Sequence, residues 1–207
     1  MKKILILAPH TDDGELGAGA SIDRFIKEGN QVYYAAFSTA EQSLPKGMPN
    51  DTLKKEVVFA TNTLGIEREN LFIFDYEVRK LNFFRQEILE HMVEMKRKIK
   101  PDLVLMPSLH DVHQDHSTIA QEGLRAFKDT SILGYELLWN NLSFDTTCFI
   151  KLEKENVDAK FRALQNYQSQ KERKYMSKVF VFAHAHTRGI QAGCTYAEAF
   201  EVVRWIL

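Results

Sequence analysis

The chain has 207 residues, 44% of them apolar and 27% charged, the profile of an ordinary globular domain. A chain of this length builds its core without disulfides or a structural metal, so one domain over 1–207 is expected and any metal serves chemistry. A formal net charge of −1 excludes the positive field of a nucleic-acid or anionic-membrane binder, and two distant cysteines, Cys148 and Cys194, exclude a disulfide framework or a thiolate zinc site.

The opening Lys3 to Ala8 reads as a buried strand; its apolar run is too short for a secretion signal and meets acidic residues at once. Leu16 to Glu28 reads as a helix ending near Gly29-Asn30. Val32 to Phe37 is a second strand, and Ser38 to Asp51, with Pro45, Gly47 and Pro49, reads as a mobile loop beside a ligand crevice. Asp51 to Leu64 is helical, with Asp51 as N-cap and Gly65 as the stop. Leu71 to Phe74 is a third strand, and Phe83 to Ile99 an amphipathic helix ended by Pro101. Leu103 to Met106 is a fourth strand, followed by a helix over Ser117 to Phe127. Regularity weakens after Thr130. Gly134 to Trp139, Thr146 to Ile150 and Lys178 to Phe182 read as strands, and Lys154 to Tyr167 and Tyr196 to Trp205 as helices.

Strands and helices alternate, and the strands are almost continuously apolar. That predicts an α/β, Rossmann-like, mostly parallel sheet with helices on both faces. No run approaches the ~18 apolar residues of a membrane span, so no transmembrane segment and a cytoplasmic location are expected.

Two polar segments follow predicted strands. One is Pro9-His10-Thr11-Asp12-Asp13-Gly14-Glu15-Leu16-Gly17; the other is His110-Asp111-Val112-His113-Gln114-Asp115-His116. They hold four of the chain's seven histidines. In a parallel sheet, loops after strand C-termini gather on one edge, where ligands bind. A hydrolytic zinc site needs three nitrogen or oxygen ligands, an open position for water and a carboxylate outside the inner shell to take a proton. Adjacent Asp12 and Asp13 point in different directions and can divide those duties. His113 and His116, three apart, share one face of a turn entering a helix. As a plain structural feature, the first segment would be a turn with an aspartate N-cap.

These two motifs resemble those of the LmbE-like, or PIG-L, zinc de-N-acetylases. The first family motif is proline-histidine-x-aspartate-aspartate-x-glutamate-leucine/isoleucine-glycine, matched by Pro9 to Gly17. The second is aspartate-x-histidine-x-aspartate-histidine, matched by Asp111 to His116. Fainter similarity runs through Tyr167-Gln168-Ser169-Gln170 and Gly193 to Phe200. The resemblance implies an LmbE-like fold and zinc held by His10, Asp13 and His116, with iron(II) or manganese suiting such ligands as well. It implies Asp12 as general base and His113 as stabiliser of the tetrahedral intermediate or general acid. Asp115 would orient His113. The implied substrate is a small molecule or glycoconjugate bearing an N-acetylglucosamine-type sugar; a homo-oligomer is left open. Two positions depart from the family pattern: Thr11 replaces a common proline, and Gly14 stands where larger or acidic residues occur.

Further candidates for the substrate wall are Arg79, His110, His186 and Arg188, the last able to grip a phosphate or carboxylate. His184 belongs to the same polar group, and Glu198 is either a helix-terminal charge or a buried support. His91 reads as a solvated helix residue, and Tyr135 and Trp139 as core rather than sugar-stacking aromatics. A nucleotide-binding alternative rests on Gly17-Ala18-Gly19, but Ile22 stands where the third glycine of that motif belongs. A carbohydrate binder without activity and a zinc hydrolase of another amide or ester are further alternatives.

Overall fold

The computed structural model describes residues 1–206. The strands are β1 (Lys3–His10), β2 (Gln31–Ser38), β3 (Leu71–Ile73), β4 (Leu103–Pro107), β5 (Ser131–Tyr135), β6 (Cys148–Leu152) and β7 (Tyr196–Arg204). The helices are α1 (Asp13–Lys27), α2 (Thr52–Leu64), α3 (Arg85–Ile99), α4 (Gln114–Ala126), α5 (Lys154–Leu164) and α6 (Lys178–Gln191). The strands form one seven-stranded sheet in the order β3-β2-β1-β4-β5-β7-β6. The first five run parallel, and β7 is antiparallel to both its neighbours. The expected fold class is therefore the one found.

Alternation within β1 shows why both faces are covered. Ile4, Ile6 and Ala8 pack into a core with α1, α2 and α5. Leu5 and Leu7 point the other way, into a second core with Ile88, Met92 and Met95 of α3 and Ile119 of α4. Burial of both faces explains the near-continuous apolar sequence of these strands.

The chain leaves β1 toward β2 and β3 on one side and returns through β4 to β5 on the other. The order thus reverses between β1 and β4, and the crevice at such a point, beyond the carboxyl ends of the strands, is where open α/β sheets bind ligands. The two motif segments leave those two ends.

Three expectations for the chain after Thr130 are corrected. Lys178 to Phe182 is not a strand but the first part of α6, started by the Ser177 hydroxyl, which accepts from the Phe180 amide. Its Val-Phe-Val-Phe run looks β-like, yet Val179 is 80% exposed while Val181 is buried, as suits a helix packed on one side. Tyr196 to Trp205 is not a helix: residues 196–204 are β7, inserted between β5 and β6. Its Glu198 and Glu201 disguise a strand buried on both faces. Glu198 is a buried support, bound to Lys160 and to the Ala20 and Ser21 amides of α1. The Gly134 to Trp139 strand ends earlier, at Tyr135.

Candidate active site

The first motif turns sharply from β1 into α1. Asp12 occupies the N-cap position, but its side chain makes no capping bond and lines a cavity of about 270 Å³. Asp13 folds back instead. Its Oδ2 accepts from the His10 amide at 2.8 Å and sits 3.0 Å from His10 Nδ1. The turn is braced from below. The hydroxyls of Tyr34 and Tyr167 both reach the Thr11 carbonyl, at 2.9 and 2.6 Å, and both contact the buried Glu15 carboxylate. Burial outweighs those hydrogen bonds and raises Glu15 to about 8. Gly14 is required here, since a Cβ would lie 2.5 Å from the Tyr34 ring. Its departure from the family pattern is thus matched by a tyrosine that fills the space.

The second motif turns from β4 into α4. His113 is the N-cap, its Nδ1 accepting from the Asp115 amide. That places α4 so that His116, one turn in, faces His10 across the crevice, with Nε2 3.2 Å from His10 Nδ1 and 3.2 Å from Asp13 Oδ2.

His10 Nδ1, Asp13 Oδ2 and His116 Nε2 therefore lie 3.0 to 3.2 Å from one another. Ligands at ~2.0–2.1 Å in a tetrahedral zinc shell stand roughly 3.3 Å apart. The donor set and its spacing fit a divalent ion. Each imidazole is also oriented from behind. Asp115 Oδ2 takes the His10 Nε2 at 3.0 Å, and Asp111 Oδ2 takes the His116 Nδ1 at 2.7 Å, leaving the converging nitrogens free to bind. Nitrogens of His10, His113 and His116 also come within 4.8 Å of one another. Asp13 lies closer to both His10 and His116, and His113 has one nitrogen committed to the α4 cap.

The charges follow from this geometry. Burial pushes the His10 and His116 imidazoles down, but Asp13 and the flanking carboxylates prevail and raise them to about 8 and about 10. Burial raises the Asp13 carboxyl, but His116 and His10 hold it well below the usual carboxylate range. Asp12 is raised to about 6, by burial first and then by the charge of Asp13. His113 is lowered to about 4 by burial and by the two other imidazoles, so it is neutral at pH 7.

Other expectations divide. Arg79 lines the cavity; its amide, at a left-handed φ of 69°, donates to Asp115 Oδ2. The 38–51 loop does reach the site, through Ala40 and Ser43. His110 turns instead toward Glu201. Arg188 pairs with Glu136, as does His184, and His186 Nδ1 contacts the Thr195 carbonyl on an exposed part of α6. These three positions extend the α6 surface because the segment is helical, and neither His186 nor Arg188 reaches the cavity. The Asp115 carboxylate serves His10 and the Arg79 and Leu81 amides, so only its main chain touches His113. His91 is half-buried against Phe74, 4.6 Å between ring centres. Tyr135 is core, as expected, but Trp139 lines the cavity, stacked on Tyr175 at 4.0 Å. Asn140, Gln170, Arg173 and Tyr175 complete the wall. None carries a motif, and only the faint similarity at Tyr167 to Gln170 hinted at that segment.

The model of the family described as PIG-L, GlcNAc-PI de-N-acetylase, matches residues 5–127, more than half of the chain. The chain belongs to this family. It is 29% identical over 175 residues to YaiS, an uncharacterized deacetylase of Escherichia coli K12, covering 81% of this chain and 91% of that protein. It is 26% identical over 134 residues to diacetylchitobiose deacetylase of Thermococcus kodakarensis, covering 61% of this chain and 49% of that one. Among solved structures, a conserved protein of Thermus thermophilus superposes with a TM-score of 0.84 at 24% identity, over 100% of this chain and 97% of the other. The family is one of deacetylases, and among the described residues no helix is long and apolar enough to cross a membrane.

Proposed function

We propose that this chain is a zinc-dependent hydrolase that removes the N-acetyl group from an N-acetylglucosamine-type amino sugar or its conjugate. The observation that carries this reading is the meeting of His10, Asp13 and His116 at 3.0 to 3.2 Å, with a second carboxylate, Asp12, beside them and facing the cavity. Family membership supports the acyl-amide chemistry, and the diacetylchitobiose relative supports a sugar substrate.

His10, Asp13 and His116 would hold the ion, which supplies a Lewis acid and brings the pKa of water toward ~7. Asp12 takes a proton from the attacking water; its burial and the neighbouring Asp13 carboxylate make it a stronger proton acceptor than an exposed aspartate. The water oxygen adds to the carbonyl carbon. The carbon–nitrogen bond then breaks, the proton passes to the leaving nitrogen, and acetate and a free amine result. His113 is neutral and its Nδ1 accepts from the Asp115 amide, so its proton sits on Nε2. That favours hydrogen bonding to the developing oxyanion over donation from an imidazolium. Trp139 and Tyr175 offer a flat wall for a sugar ring.

The test is acetate release from N-acetylated sugars, nucleotide sugars and glycolipid head groups, using zinc-loaded and chelated protein. Release from an amino-sugar amide that chelation abolishes and zinc restores is expected. Protein that binds zinc through this site yet releases no acetate from any of them would remove the assignment.

A further inference from the structure

Outside the cavity, the β4 loop meets the end of the sheet in a second polar cluster. The antiparallel pairing of β5 and β7 sets Gly134 opposite Glu201. Gly134 has no Cβ, which would lie 3.0 Å from Ser108 Cα and 3.3 Å from Glu201 Oε2, so the Glu201 side chain can lie against the end of β4. The Ser108 hydroxyl accepts from the His110 amide at 3.1 Å and donates to Glu201 Oε2 at 2.8 Å. This commits one carboxylate oxygen and turns the other, Oε1, to within 3.4 Å of His110 Nε2. Glu201 is only 8% exposed, yet among the described residues its Oε1 receives no hydrogen bond and no lysine or arginine pairs with it. With an imidazole nitrogen 3.4 Å away and no lysine or arginine beside it, this oxygen is available to a cation.

Asp145 brings a second carboxylate to the same place. Its carbonyl accepts from the Thr147 amide at 2.8 Å, and the Thr147 hydroxyl accepts from the Val202 amide at 2.8 Å. The Asp145 loop is thereby tied to β7 next to Glu201. Donor atoms of His110, Asp145 and Glu201 lie within 4.8 Å of one another.

We propose that His110, Asp145 and Glu201 form a second divalent-cation site, separate from His10, Asp13 and His116. One imidazole and two carboxylates suit zinc or manganese, with water completing the shell, and the absence of thiolate disfavours softer ions. Two of the three ligands are exposed, so this site is the weaker and the faster to exchange. It lies one peptide bond from Asp111, whose carboxylate holds His116.

The test counts metal in the full-length protein, stripped and then titrated with zinc and, separately, manganese. Wild type is expected to take about two equivalents of zinc. His110→Ala and Asp145→Asn change exposed side chains; each is expected to lose the weaker equivalent and keep the tighter. His116→Ala is expected to do the reverse. A second equivalent that persists in both His110→Ala and Asp145→Asn overturns the proposal, as does wild type that takes no zinc, or one equivalent lost only in His116→Ala. One equivalent lost only in His110→Ala would leave this site standing and remove the catalytic one.

Discussion

The carboxylates of Asp12 and Asp13 leave neighbouring backbone positions in different directions, and their surroundings divide their roles. Asp13 is held by two imidazoles and a main-chain amide, which keep it ionised. Asp12 caps nothing and lines the cavity, where burial and the charge of Asp13 raise it to about 6. Asp12→Asn therefore keeps the shape and the three proposed ligands while removing the proton acceptor. Metal content should be unchanged and turnover should fall by ~10²–10⁴, measured as acetate release by zinc-loaded protein. Full activity in that variant would place the base elsewhere. That the two carboxylates point apart was legible in the sequence, because adjacent aspartates after a strand offer two directions at one place. The lowered pKa of His113 was not, since it depends on rings brought within 4.6 to 5.1 Å by folding.

At the scale of elements, the site is made by two strand-to-helix turns, and the residues that hold those turns also orient the proposed ligands. Asp111 reaches His116 Nδ1 at 2.7 Å and accepts the His113 amide through Oδ1 at 2.8 Å. It thus fixes both the tautomer of the proposed ligand and the start of α4. Asp111→Asn should lower zinc affinity by ~10–100-fold with the fold intact, read by chelator competition on the purified variant. Unchanged affinity would mean His116 needs no such support. The early strands were legible as near-continuous apolar runs, since β1, β2 and β4 are buried on both faces, and α2 and α3 because each buries one consistent face. α6 and β7 were not: Val-Phe-Val-Phe mimics a strand, and a strand carrying Glu198 and Glu201 mimics a helix. Both glutamates find partners only in the assembled molecule, Lys160 in one case and Ser108 in the other. The cavity wall from Gln170 to Tyr175 lies in two single-turn 3-10 helices and their link between α5 and α6, too short for a periodic pattern to show.

In the whole molecule, the reversal of strand order between β1 and β4 brings together His10 and His116, 106 residues apart. An ion bound there joins segments that the unfolded chain leaves separate, so its binding energy becomes folding energy. The direction of the pH dependence follows. Without metal, His10 is raised to about 8 and His116 to about 10 by the carboxylates around them. Their protonated forms stabilise the fold fully below the ordinary histidine pKa of ~6.5, and that contribution is lost as pH rises through those raised values. Zinc needs the same two nitrogens without protons, so its binding strengthens as pH rises over the same window. The two forms should therefore respond in opposite ways. Between about pH 6.5 and pH 9, the part of the metal-free Tm due to these histidines should decline, while the rise in Tm on adding zinc should grow. Calorimetry on chelated and zinc-loaded protein across that range measures both slopes. In His116→Ala the zinc-induced rise from this centre should vanish at every pH. A rise that is the same at both ends of the range in wild type would mean that the ion does not compete with protons for these imidazoles, and the ligand set would have to be sought elsewhere.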